Sequence, residues 1–242
     1  IIEDREINFV IANGENAADQ GVGITEKISN ELFKSGVDVI TTGNHVWDQK
    51  ETANHIEREI RLLRPENLSS NSPGKGFGIY NTKNGFKIGV LNLMGNIFMK
   101  KSEDVFETAK LFLRKYKLKE DYDFLIVDFH GEITSEKMAM GHFFDGKATL
   151  LVGTHTHVPT NDCRVLANGT AYLTDAGMCG DYDSVIGMNK RNSLNRFLKL
   201  ESKKHFPAEG EATLSGLIVE CNTSNGLANK VESFINGGRL IT

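Results

Sequence analysis

Short apolar runs that stop at glycine and polar residues alternate along this chain with stretches whose apolar positions recur at helical spacing. Asn8 to Ala12 is the first run, and it ends in Asn13-Gly14, as a strand entering a loop does. Thr25 to Ser35 carries Ile28, Leu32 and Phe33 on one face, with Thr25 suited to cap the helix and Gly36 to end it. Val37 to Thr42 is the next strand, and a helix is expected from Gln49 to Glu59.

The texture changes further on. Gly76 to Asn81 and Phe86 to Leu93 flank Asn84-Gly85 and read as an antiparallel hairpin. Helices are expected at Val105 to Tyr116 and Ser135 to Phe144, with buried strands at Phe124 to Phe129 and Leu150 to Gly153. Arg164 to Leu166 and Ala171 to Leu173, around Asn168-Gly169, form a second hairpin, and Thr213 to Glu220 and Lys230 to Ile235 close the chain as strands. The expected class is α/β with mixed sheets and helices outside, and residues 1–242 are read as one domain. Ile1 to Arg5 read as the tail of a helix, so a short N-terminal βα piece is expected ahead of this sequence.

Composition narrows the function classes. The 242 residues carry a net charge of -4 with both signs interspersed, so no basic surface for nucleic acid stands out, and a small phosphate ester suits the chain better than a long polyanion. No apolar stretch is long enough to span a membrane. Cys163, Cys179 and Cys221 are odd in number and widely spaced, which fits a reducing cytoplasm and small buried side chains.

The candidate chemistry lies where four strands end. Those ends deliver Gly14-Glu15-Asn16, Gly43-Asn44-His45, Asp128-Phe129-His130-Gly131-Glu132 and Gly153-Thr154-His155-Thr156-His157. The carboxyl ends of strands in such a sheet are where loops converge on ligands. Of the seven histidines, His45, His130, His155 and His157 sit at these ends; His142 falls in a helix, and His55 and His205 look like surface residues. Imidazole, carboxylate and amide oxygen together suit Fe, Mn or Zn without any thiolate. Trp47 and Asp48 read as helix start and packing. Asp128 and Glu132 either orient His130 or form salt bridges, and Asp175 stands at a strand end where it could line a pocket.

Gly43-Asn44-His45 with Gly153-Thr154-His155-Thr156-His157 resembles the signatures of the calcineurin-like metallophosphoesterases. Asn13-Gly14-Glu15-Asn16-Ala17-Ala18, Gly43 to Asp48, Asp128-Phe129-His130 and Thr174 to Met178 resemble the YmdB-type bacterial phosphodiesterases, over about Asn8 to Glu220. The resemblance implies a four-layer αββα sandwich and a binuclear centre of iron or manganese. Glu15 would bridge the ions, Asn44, His130 and His155 would complete one site, and Asn16 and His157 would serve the other. His45 would be the catalytic histidine beside the leaving group. The family's first-strand Asp ligand has no counterpart before Glu15, in keeping with the expected upstream βα piece.

The implied activity is hydrolysis of phosphodiesters, 2′,3′-cyclic nucleotides among them, by a hydroxide held on the metals. Two alternatives stay open: a phosphomonoesterase or nucleotidase with the same metals, and a metal-dependent cyclic-nucleotide sensor with weak catalysis. Self-association into a homo-oligomer is a further expectation.

Overall fold

The computed structural model describes residues 1–240, so the last two positions of the expected 1–242 domain lie outside the described residues. A six-stranded mixed sheet forms its centre. It is built from β3 (Phe77–Asn81), β4 (Lys87–Met94), β5 (Phe124–His130), β6 (Leu150–Thr154), β7 (Arg164–Val165) and β8 (Ala171–Leu173), in the order β3-β4-β5-β6-β8-β7. The four inner strands run parallel and the two edge strands antiparallel. Parallel strands need crossovers: α3 (Val105–Lys115) joins β4 to β5, and α4 (Thr134–Phe144) joins β5 to β6.

Alternation along the inner strands fills both faces of this sheet. Leu91, Leu93, Leu125, Val127 and Phe129 pack with Ala109 and Phe112 of α3 and with Met140 and Phe144 of α4. Ile88, Val90 and Phe124 point the other way, into a cluster with Val39 and Leu63. That second face meets a parallel pair, β1 (Ile11–Asn13) and β2 (Val39–Thr41), which is covered in turn by α1 (Glu26–Lys34) and α2 (Thr52–Arg58) through Ile24, Ile40 and Ile56. An antiparallel pair, β9 (Leu214–Cys221) and β10 (Ala228–Asn236), closes the chain.

The expected elements are largely present, with boundary shifts. Thr25 caps α1 by accepting from Ile28 N, as its hydroxyl suggested. β1 starts at Ile11, because Val10 O is already taken by the amides of Asp38 and Val39 in an irregular pairing. Ile1 to Arg5 form turns rather than a helix tail, and α2 begins at Thr52, three residues after Gln49. One helix lacked any sequence signal: α5 (Lys190–Phe197) is polar nearly all round and is started by Asn189, whose side chain accepts from Asn192 N. Two burial readings are corrected. His55 is buried, with Nε2 2.7 Å from Ser29 Oγ, because it faces inward from α2 onto α1. Cys179 is exposed, and all three thiols are free.

Candidate active site

Strand register brings the polar loops together. In the central sheet Met94, His130 and Thr154 lie side by side as the last residues of β4, β5 and β6. Asn13 and Thr41 are the paired ends of β1 and β2. A single carboxylate ties these ends to one another. Asp128 is fully buried and accepts from Asn13 Nδ2 at 2.9 Å, from Thr154 Oγ1 at 2.8 Å and from the Thr41 hydroxyl. Burial pushes its carboxyl above the usual range, against the pull of those donors and of His130. The residue therefore ties its own strand to three strand ends by hydrogen bonds and reaches His130 only through the shared Thr154 hydroxyl, rather than by direct contact or a salt bridge.

His130 occupies the middle of the site. Its Nδ1 lies 3.0 Å from Thr154 Oγ1. Its Nε2 has three neighbours: Glu15 Oε2 at 2.9 Å, Asn44 Oδ1 at 3.0 Å and His155 Nδ1 at 3.0 Å. One ring nitrogen carries at most one proton, so it cannot donate to all three. Two imidazole nitrogens, a carboxylate and an amide oxygen converging on one point are a cation's donor set, and Glu15, His130 and His155 each offer an atom within 4.8 Å of the others.

The electrostatics agree with that geometry. Burial works against the Glu15 carboxylate, but the His130 ring, with help from His45 N–H at 2.9 Å, brings it down to about 2. His155 is pushed below the usual imidazole range, first by burial and then by His130, which favours the neutral, metal-ligating form.

Asn16 and His157 meet beside this centre, with Asn16 Nδ2 3.2 Å from His157 Nε2. The Asn16 carbonyl oxygen is buried without a partner, an acceptor facing no donor. His157 Nδ1 lies 2.8 Å from Ile186 O, so Nδ1 carries the proton and Nε2 is the acceptor that meets the Asn16 amide. Both histidines of this loop sit in the left-handed region, His155 at φ 99° and His157 at φ 66°, a strain of about 1–3 kcal/mol each for non-glycine residues. Period-two alternation is thereby broken, and the two rings leave the loop toward different partners.

A buried ion pair holds the loop in that shape. Lys137 Nζ, on α4, donates to Thr154 O at 2.7 Å and to Asp175 Oδ2 at 2.6 Å. Asp175 also accepts from Thr156 N at 3.0 Å. Asp175 therefore lies under the loop rather than on a pocket wall. Lys137 had no sequence signal, since a helical lysine reads as solvated, yet it is fully buried.

His45 stands apart from the His130 cluster. Its Nδ1 is 2.6 Å from Asp48 Oδ2, and Lys100 Nζ is 3.5 Å from the other Asp48 oxygen. Asp48 thus orients His45, a job that the helix-start reading missed because α2 begins later. Glu132 pairs with His155 Nε2 at 3.0 Å, not with His130. Glycine at 43 is a packing requirement, since a Cβ there would lie 2.3 Å from the His130 ring.

The family model described as YmdB-like protein matches residues 1–234. The chain belongs to that family. This YmdB-like chain is 43% identical over 228 residues to a Bacillus subtilis (strain 168) protein named 2′,3′-cyclic-nucleotide 2′-phosphodiesterase, covering 94% of this chain and 85% of that one. Two solved structures are also similar. A hypothetical protein from Thermus thermophilus superposes with a TM-score of 0.89 at 37% identity, over 98% of this chain and 90% of that one. A novel phosphatase from Mycoplasma pneumoniae superposes with a TM-score of 0.88 at 34% identity, over 98% and 84%. The YmdB-like fold is thus a mixed α/β fold shared with a phosphatase. Among the described residues, no helix is long and apolar enough to cross a membrane.

Proposed function

We propose that this chain is a metal-dependent phosphodiesterase that opens 2′,3′-cyclic nucleotides and related diesters. The observation that carries the reading is the convergence of Glu15, Asn44 and His155 on one nitrogen of His130. Hydrogen bonding alone leaves that cluster unsatisfied, and a cation would satisfy it. The names of the Bacillus subtilis relative and of the Mycoplasma pneumoniae phosphatase supply the reaction class.

Glu15, Asn44, His130 and His155 would hold one ion. Asn16 and His157, with Glu15 shared, would hold another, and the donor chemistry suits Fe or Mn, with Zn also accommodated. Bound cations supply Lewis acidity toward the phosphoryl oxygens and a nucleophilic water at neutral pH. His45 gives a proton to the departing alkoxide, and Asp48 keeps its Nδ1 engaged so that Nε2 faces the substrate. Lys137 and Asp175 hold the His155–His157 loop in its strained form. The β1–β2 pair and the central sheet, with helices outside, would be the inner layers of a four-layer αββα sandwich, in one domain.

The test is hydrolysis of 2′,3′-cyclic AMP by the metal-loaded protein, run with His45→Ala. The variant should keep its metal content and lose roughly 10²–10⁴-fold in kcat. Equal loss of metal and turnover would make His45 a ligand instead. Faster turnover of p-nitrophenyl phosphate than of its bis-ester would make the chain a phosphomonoesterase.

A further inference from the structure

Two exposed aromatic rings flank the Asp48–Lys100 contact. Trp47 lies between His45 and Asp48, is 37% exposed, and lines an open cavity of about 430 Å³ together with Gln49, Lys50 and Asn71. Phe98 is 84% exposed, two residues before Lys100, with φ at 59°. Both rings are thus open to a ligand, and the left-handed backbone at Phe98 costs about 1–3 kcal/mol that the loop's own hydrogen bonds must hold.

The Phe98 loop is held firmly. It leaves the end of β4, the strand next to the one that carries His130. Buried Glu136 accepts from the amides of Asn96 and Ile97. The Asn96 side chain closes the loop by donating to Ser102 Oγ and Glu103 O and by accepting from Val105 N. Asn67 Nδ2 donates to the same Ser102 and Glu103 atoms, and the chain beyond Asn67 runs on to the Ser69–Pro73 wall of the Trp47 cavity. A fixed loop and two open rings, joined through the Asp48–Lys100 contact to the segment that carries His45, offer a nucleobase the flat apolar faces on which it stacks.

We propose that Trp47 and Phe98 form the subsite for the base of a nucleotide diester, setting a preference for nucleoside over base-free substrates. This rests on the diesterase reading above. Lys100 approaches Asp48 at 3.5 Å, which brings the Phe98 loop up to the segment that carries Trp47 and His45.

Trp47 is the only tryptophan in the chain, so its fluorescence reports on this subsite alone. The metal-loaded full chain is titrated with adenosine 3′-monophosphate and, separately, with inorganic phosphate. In parallel, kcat/KM is compared for 2′,3′-cyclic AMP and for an abasic ribose 2′,3′-cyclic phosphate, in wild type, Phe98→Ala, Phe98→Leu and Phe98→Tyr. Saturable quenching by the nucleotide but not by phosphate is expected. The ratio of the two kcat/KM values should fall roughly 5- to 100-fold in the Ala and Leu variants and recover in Tyr. Quenching by both ligands or neither, or an unchanged ratio, overturns the subsite while leaving the diesterase reading standing. Nucleotide-specific quenching that weakens in Phe98→Ala, with no hydrolysis of either diester, upholds the subsite and overturns the diesterase reading.

Discussion

The two imidazole groupings of the site are built differently. Around His130 the centre is enclosed, with Glu15 and His130 2% and 1% exposed and Asn44 and His155 half-buried beside them; a carboxylate is present, and three donor atoms crowd one nitrogen. Around His157 the groups are half-buried, the contact is with an amide, and the ring is held from behind by Ile186 O. Its carboxylate, in a site of lowered dielectric, would make the first grouping the stronger cation locus. The second offers neutral donors, so on the proposed reading its affinity for a cation would lean on the Glu15 carboxylate next door. A buried carboxylate, rather than the count of histidines, would separate a tight locus from a weak one.

Several measurements would break or sharpen that contrast. His130→Ala should empty the enclosed grouping, with metal content collapsing and turnover falling more than roughly 10³-fold, about 4 kcal/mol of activation free energy. Retention of near-normal metal content would refute the distinction. Lys137→Met strands a buried Asp175 beneath both histidines and should destabilise the fold by about 3–5 kcal/mol in urea unfolding, while Lys137→Met with Asp175→Leu should recover much of that. His157→Ala should cost one metal equivalent and roughly 100-fold in turnover, about 2.7 kcal/mol, and leave the tighter equivalent in place. Loss of both equivalents would show that the groupings act as one.

The smallest effect is read in the chelated protein. Glu15 has a folded-state pKa of about 2 against an ordinary 4.5, so its stabilisation is full above 4.5 and lost as pH falls toward 2. Between pH 5 and pH 3 the wild type should lose about 2 kcal/mol that Glu15→Gln does not. Matching curves would mean that the carboxylate is not held by His130 in the absence of metal.

Much of this was legible in the residues. Strands announced themselves as apolar runs stopped by Gly14, Gly43 and Gly153, and the ligating types followed at once, so local sequence located the loops. What stayed hidden depends on partners far along the chain. Lys137 looks like a solvated helix residue until Asp175, thirty-eight positions away, is seen beside it. Asp48 looked like part of a helix start because the spacing toward α2 gave no sign that the helix waits until Thr52. His55 read as surface because α2 is too short for its inner face to stand out, and α5 offers only Leu194 and Phe197 at helical spacing. Sequence pattern carries the periodicity of burial; it carries little about which buried charge finds which partner.

The clasp made by Asp128 has a bearing on how the protein matures. One carboxyl group knots together strand termini that the chain visits at Asn13, Thr41, Asp128 and Thr154. Docking of the β1–β2 pair on the central sheet and layout of the candidate ligands are therefore coupled through one group. Newly made protein would meet its metals with the cradle already set, and stripping them should leave near-ultraviolet circular dichroism almost unaltered.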